Sequence, residues 1–356
     1  MSKAAELAAL IGPQAAQSNR NFAINGAMQV AQRGTSTASV NSGGIYSCDR
    51  WNLFGSSFGA YTVSQSSTSP DGFANSLKLD CTTADTSPAA DDHLGIQMKF
   101  EGQDLQQLQK GTSSAKSVVV SFFVRSNKTG TYTLELDDRD NTRSFSKTYT
   151  ISSADTWEHK TVTFAGDTTG ALDDDNAHSF NLSWWLMAGS TFTGGTFTTG
   201  WEARTNANRV SSSNVNLSDN TSNEWYITGV QMEVGDVATA FEYRSISEEE
   251  ALCHRYFYRF TGTTNLFYSD YYSNDTFITR EALPVPMRAF PTVTSRGTGG
   301  TSDTAFSYTN LAATPTLSHS GNNSVIIFRG VSGAGRAFLH LYFAGDTHSV
   351  DASAEL

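Results

Sequence analysis

The chain has 356 residues, of which 12% are aromatic and only 17% charged, with a net charge of −11. That is enough length for more than one domain and enough aromatic surface for cores, while Ser, Thr, Asn and Gly give the composition of a loop-rich β protein. The acidic balance argues against a basic field for nucleic acid or an anionic membrane, and no apolar run reaches the roughly 18 residues of a membrane-spanning helix.

Residues 2–11 (SKAAELAALI) predict a short helix, capped by Ser2 and ended by Gly12-Pro13. Ala4, Leu7, Ala8 and Ile11 make one apolar stripe at helical spacing. A helix this short is marginal alone. Its stripe is therefore expected to bury against a partner or against copies of itself, the plainer alternative being a frayed terminus. Glu6 interrupts the apolar run, so no signal peptide is expected.

From residue 19 to 246 the chain reads almost wholly as strands. Residues 117–125 (SVVVSFFVR) form a buried strand, while 131–136 (TYTLEL), 144–151 (SFSKTYTI) and 157–164 (WEHKTVTF) alternate apolar and polar. Residues 179–188 (SFNLSWWLMA) give another apolar strand. Many short strands at regular spacing predict a β-sandwich. In residues 224–234 unbroken alternation puts Tyr226, Thr228, Val230 and Met232 on one side, and Ile227, Gly229, Gln231 and Glu233 on the other. Gly235-Asp236 then turns the chain.

Residues 247–259 (SEEEALCHRYFYR) predict an amphipathic connector helix, with Ser247 and Glu250 as a capping box. Beyond it the pattern returns to β, at 265–272, 275–283, 291–295, 304–308, 324–329 and 337–344. The predicted organisation is an N-terminal helix and spacer (1–18), a sandwich (19–246), a connector helix (247–260) and a second, smaller β-sandwich (261–356).

Three stretches carry a resemblance: NRNFAINGAMQVAQRGTS from Asn19, CDRW from Cys48, and EWYITGVQMEVGDVATAFEYR from Glu224. Together they resemble the bookends of a jelly-roll module in phage tail-fibre and minor virion structural proteins, a module that looks like a carbohydrate-binding module. The later order of HRYFYRF, LPVPMRAFPTV and VDASAEL resembles the same proteins, so the likeness covers nearly the whole chain. It implies a virion location and a tail-fibre or adhesion role in contact with host-surface glycan. It also implies a homotrimer joined to other virion proteins through the N-terminal helix. A head-decorating fibre or assembly adaptor without glycan binding is the alternative.

Little points to catalysis. His159, His254 and His340 lie in no nucleophile elbow. Asp91 and Asp92, Asp137, Asp138 and Asp140, and Asp173, Asp174 and Asp175 fall in turn-like segments and read as solvated turn acids. A structural calcium is the sharper alternative; the resemblance places one near the first and last strands, where this chain offers Gln29 and Glu233. Cys48, Cys81 and Cys253 have no metal-binding spacing and read as ordinary thiols, with a Cys48–Cys81 bridge left open. The chain is expected to be no enzyme.

Trp184 and Trp185 are adjacent on one strand and must face opposite sides. One enters a core. The other, with Trp201, is a candidate platform for the C–H face of a sugar. The alternative is that the second ring packs beneath residues 191–201 or in a subunit contact.

Overall fold

The computed structural model describes residues 19–198 and 200–261, and beyond them 267–268, 270–273, 276–281, 283–296, 306–307, 316–319, 326–331, 340–343 and 349–356. The expected helix at 2–11, with Ala4, Leu7, Ala8 and Ile11, lies outside the described residues. The chain divides into two compact units, one of residues up to Ile246 together with Leu356, the other running from Ser247 to Glu355.

The first unit contains β1 (Ser36–Val40), β2 (Asn52–Ser56), β3 (Ala60–Ser66), β4 (Ser76–Thr83), β5 (His93–Glu101) and β6 (Val118–Ser126). It continues with β7 (Gly130–Asp138), β8 (Arg143–Ile151), β9 (Glu158–Phe164), β10 (His178–Ala188), β11 (Glu202–Ala203) and β12 (Glu224–Val234). They form two six-stranded antiparallel sheets: sheet I, in the order β1-β3-β4-β12-β6-β9, and sheet II, β11-β8-β7-β10-β5-β2. The pairing has a simple origin. β7 pairs with β8, β6 with β9, β5 with β10 and β4 with β12. This is one long hairpin rolled so that successive pairs alternate between sheets, which is a jelly roll.

Each strand sends alternate residues between the sheets. Tyr61, Leu79, Phe122, Phe164, Trp225 and Ile227 come from sheet I, and Ile96, Leu134, Phe145, Leu182 and Trp184 from sheet II. Trp184 sits at the centre, its ring 5.6 Å from Trp51 and 5.5 Å from Phe122.

β12 departs from unbroken alternation. Its register with β6 shifts between Thr228 and Gln231, where Gly229 takes a φ of +61°. The bulge reverses the parity of the strand. Trp225 and Ile227 before it and Val230 and Met232 after it all face the core, so Tyr226 and Val230 do not share a side as strict alternation predicts. The glycine is required sterically as well, because a Cβ there would lie 2.6 Å from the Phe73 ring.

The first and last segments of this unit interlock. Glu242 accepts the backbone N–H groups of Asn19 (2.8 Å) and Asn21 (2.9 Å). Asn21 bridges to β12, donating to the Val230 carbonyl at 3.1 Å and accepting the Met232 N–H at 3.0 Å. Arg244 donates to the carbonyls of Ala23 and Asn21. Asn25, fully buried, holds the Val30 and Asp49 carbonyls at 2.8 and 3.0 Å and accepts the Val30 N–H. Trp51 Nε1 donates to the Asn25 carbonyl at 3.0 Å. The NRNFAING, CDRW and FEYR stretches are thus one polar clasp.

The helix Ile246–His254 belongs, from Ser247 on, to the second unit. It is shorter than the 247–259 expected and starts one residue earlier, which puts Ser245 at the capping position with Glu248 three residues on. It stops because the aromatic alternation that follows favours a strand. The unit then holds β13 (Phe257–Thr261), β14 (Phe267–Tyr268), β15 (Asp270–Ser273), β16 (Thr276–Glu281) and β17 (Thr292–Arg296). After these come β18 (Phe306–Ser307), β19 (Thr316–His319), β20 (Ile326–Val331), β21 (His340–Phe343) and β22 (Ser349–Ser353). They form antiparallel sheets β13-β22-β17, β14-β21-β18 and β15-β16-β20-β19. The second set of resembling motifs also meets. Arg259 is bidentate to Asp351 at 2.7 and 2.9 Å across β13 and β22, and Arg288 Nε donates to the Ala354 carbonyl at 2.9 Å.

Candidate functional site

The outer face of sheet II is where the strand pattern places hydrogen-bonding side chains. Three rows cross it. Asn52, Gln97, Ser183, Glu135 and Ser146 lie in register, as do Lys99, Asn181, Asp137, Ser144 and Glu202. The third row is Phe54, Gly95, Trp185, Thr133 and Thr148. A polar face on an otherwise buried sandwich strand has to be hydrated, bridged or covered. Here part of it is covered by Phe192, Arg204, Arg209 and Val210.

Beneath that cover Glu135 is fully buried. It takes both arms of Arg209, at 2.7 and 2.9 Å, and accepts Trp185 Nε1 at 2.8 Å. The Arg209 guanidinium lies 5.0 Å from the Trp185 ring centroid. Burial pushes the Glu135 carboxyl up from its ordinary range, against the pull of Arg209. Burial also works against the Arg209 charge, but the Glu135 carboxylate more than offsets it.

Asp137 collects Arg204 at 2.8 and 3.1 Å, Arg139 at 3.4 Å and the Asn181 amide at 3.2 Å. His178 Nε2 hydrogen-bonds the Asn181 side-chain oxygen. Burial pushes the His178 imidazole down to about 4, so it is neutral near pH 7, and the nearby Lys99 and Arg139 charges act the same way.

At the other end of the face two rings remain half-exposed. Phe54 meets Trp185 edge-on at 5.1 Å, and His93 packs 4.8 Å from Phe192. Gly95 makes room for the Phe54 ring, with which any side chain there would collide. Next to them Gln97 donates to Asn52 Oδ1 at 3.1 Å. Flat rings, here a phenyl and an imidazole, beside side-chain amides can hold a polyhydroxylated ligand by its C–H faces and its hydroxyls together.

The candidate platform, one of Trp184 and Trp185 together with Trp201, is not assembled. Trp184 is in the core at 0% exposure, and Trp185, on the opposite face as adjacency requires, is 1% exposed beneath Phe192, Val210 and Arg209. Neither offers a ring face to a ligand, so both leave the candidate set. Trp201 is half-buried at the edge of the core, 5.9 Å from Phe145, and its Nε1 donates to the Ala165 carbonyl at 2.8 Å. The rings that do reach the outer face, Phe54 and His93, lie before the first strong alternating strand and carry little sequence signal. Arg204 and Arg209 were hidden in a long polar stretch. The alternation in TLELDD, which puts Glu135 and Asp137 on one side, was a usable clue.

Two of the supposed turn acids are interior residues. Asp137 and Asp138 are buried at the end of β7, and Asp138 pairs with Lys110. Asp140 accepts the Asp173 N–H at 3.0 Å, Asp92 that of Ala89 at 2.7 Å, and Asp175 that of Ala177 at 2.8 Å. Glu233, expected near a calcium, is engaged by the Thr239 N–H and hydroxyl at 2.8 Å each and by Gln231 at 2.9 Å. Among the described residues no group of three or more His, Cys, Asp or Glu is placed to hold a metal ion. The three cysteines are buried free thiols, and burial pushes Cys48 up to about 12. Among the described residues no helix is long and apolar enough to cross a membrane.

No protein family and no curated protein matches the chain. Among solved structures, the enzymatically active domain of tailspike protein 4 of bacteriophage CBA120 is 12% identical, with a TM-score of 0.32, over 61% of this chain and 22% of that one. The family 11 carbohydrate-binding module from Clostridium thermocellum, in complex with a β-1,3-1,4-mixed-linked tetrasaccharide, is 10% identical, with a TM-score of 0.28, over 59% of this chain and 98% of that one. A xylan-binding domain from Paenibacillus barcinonensis is 10% identical, with a TM-score of 0.26, over 59% and 99% of the two chains. These are likenesses of chain path alone; the jelly roll described above follows from the strand pairing of this chain itself.

Proposed function

We propose that the protein is a virion structural component of the tail-fibre or adhesion type, and that its first unit contacts host-surface glycan through the outer face of sheet II. The observation that carries this reading is the pairing of half-exposed Phe54 and His93 with the polar row Asn52–Gln97–Ser183 on one rigid sheet. The virion setting is supported by the order of resembling motifs along the chain. In this reading the N-terminal stripe of Ala4, Leu7, Ala8 and Ile11 anchors the protein to other virion proteins. Assembly as a homotrimer multiplies a weak monovalent contact by avidity.

Gln97 is half-buried on the open part of the face, so Gln97→Trp fills that face without emptying the core. The variant should lose binding on a glycan array and slow particle adsorption to host cells, with thermal stability unchanged. Full binding by a folded Gln97→Trp protein would overturn the placement of the site. For the anchor, a chain lacking residues 1–12 should fold normally but fail to join the particle.

A further inference from the structure

Lys110 and Asp138 meet in the interior of the first unit, with side chains 4% and 0% exposed. Lys110 stands in the crossing from sheet II to sheet I, between β5 and β6, and Asp138 is the last residue of β7. A second buried carboxylate, Asp167, lies 3.1 Å from the same lysine nitrogen. Leu108, Leu136, Phe180 and Trp201 border the gap beside Lys110 and Asp167. We propose that Lys110 Nζ condenses with the Asp138 carboxyl to form an intramolecular amide, a covalent staple between the β5–β6 crossing and the end of β7, with Asp167 relaying the proton.

The surroundings of the two carboxyls assign their roles. Asp167 is held by the Arg143 guanidinium at 2.7 and 3.1 Å and by the Thr169 N–H at 3.0 Å. Burial works against its charge, but these donors and Lys110 keep the carboxyl below its ordinary range. An ionised carboxylate so held is a poor target for a nucleophile and can carry a proton. Asp138 is met by Asn141 instead. Its Oδ1 accepts the Asn141 backbone N–H at 3.0 Å and side-chain amide at 3.3 Å, and its Oδ2 accepts that amide at 3.0 Å. Two N–H groups on one carboxyl oxygen stabilise the oxyanion of a tetrahedral intermediate. Asn141 is fixed in turn. Its amide donates to the Ala171 carbonyl at 2.8 Å, and Gly170, at a φ of +74°, leaves room for its side chain.

Lys110 is aimed at the same carboxyl. The Thr169 and Gly170 carbonyls accept from Nζ at 2.9 and 2.8 Å and fix the nitrogen beside Asp138. Burial penalises both charges of the pair, and moving one proton from Nζ to Asp138 Oδ2 removes both. That transfer leaves an amine and a carboxylic acid in contact. Reactants held together in this way reach effective concentrations far above any in solution.

The condensation needs no co-reactant. The amine lone pair attacks Asp138 Cγ and forms the C–N bond, while the carbonyl electron pair moves onto Oδ1, facing the Asn141 donors. Asp167 takes a proton from the nitrogen and delivers it to the Oδ2 hydroxyl. The Cγ–Oδ2 bond breaks, water leaves and the carbonyl re-forms. Nothing is oxidised or reduced, and an ion pair is exchanged for a neutral amide and one water.

Mass spectrometry on the full chain tests this. The intact protein should be lighter than its sequence by one water. Trypsin cuts after a lysine only when its amine is free, so a digest of the denatured chain should show no cleavage at Lys110. It should instead yield residues 100–116 joined to residues 129–139. Lys110→Arg should have the full mass of its sequence and be cut at position 110. Whichever of Asp167→Asn and Asp167→Ser folds, as judged by circular dichroism, should yield the two peptides unjoined. Separate peptides 100–110 and 129–139 from the unsubstituted chain overturn the inference. So does a water lost without a branch, as in a succinimide at Asp138, or a branch to residues 161–204, which would make Asp167 the acceptor. A folded Asp167 variant that still carries the branch overturns the relay.

Discussion

Glu242 accepts the backbone N–H of Asn21 at 2.9 Å, across 221 residues of sequence. Through this contact the return segment after β12 holds the entry segment of the jelly roll, and Asn21 in turn holds β12. The residues that carry the resemblance to phage virion proteins are therefore a closing device for the fold. Their side chains are spent on backbone groups.

Replacing Glu242 by Ala leaves the N–H groups of Asn19 and Asn21 without their acceptor. Hydrogen bonds to a charged group contribute about 2 kcal/mol. Urea denaturation should show a loss of that size, with Glu242→Gln intermediate. Unchanged stability would mean that the clasp is open in solution.

Gly229 combines a φ of +61° with a Phe73 ring 2.6 Å from the missing Cβ. Gly229→Ala should destabilise by about 1–3 kcal/mol, visible as a lower midpoint in thermal unfolding. If Gly229→Ala matched the parent, the bulge would not need its glycine.

Lys110 neutralises Asp138, which is 0% exposed. Lys110→Met strands a buried carboxylate and should cost about 3–5 kcal/mol. Adding Asp138→Asn removes the stranded charge, so the double variant should be more stable than Lys110→Met alone. A double variant as unstable as the sum of the two single ones would show that the residues act independently.

His178 carries a pKa pushed down to about 4 by burial, against an ordinary value near 6.5. Its folded-state pKa lies below that of the unfolded chain, so the unfolded state binds the proton first. Stability from this group is complete above about pH 6.5 and falls as the pH drops toward 4. His178→Gln should flatten that part of the stability profile between pH 7 and pH 4.5 in urea titrations. An identical slope in the variant would assign the pH dependence elsewhere.

The strands of the first unit were legible because alternation is local. The predicted segments at 117–125, 131–136, 144–151, 157–164 and 179–188 correspond to β6, β7, β8, β9 and β10. The opposite orientation of Trp184 and Trp185 was legible for the same reason, since the pleat sends neighbours to opposite sides. What covers Trp185 was legible in part: a ring packed beneath residues 191–201 was one of the alternatives, and Phe192 does lie against it, but Val210 and Arg209 were not foreseen. Phe192, Val210 and Arg209 reach it only because a long polar stretch folds back over sheet II, and Glu135, 50 residues before Trp185, binds both the Trp185 indole N–H and the Arg209 guanidinium. The parity of β12 was misread because one residue at positive φ reverses a strand, and periodicity carries no sign of it. The end of the helix at His254 was misread because β13 gains a partner in β22, nearly a hundred residues away. Local pattern determined which residues extend and which faces are apolar. Long-range pairing alone decided which polar groups meet, and so which surface is left to bind anything.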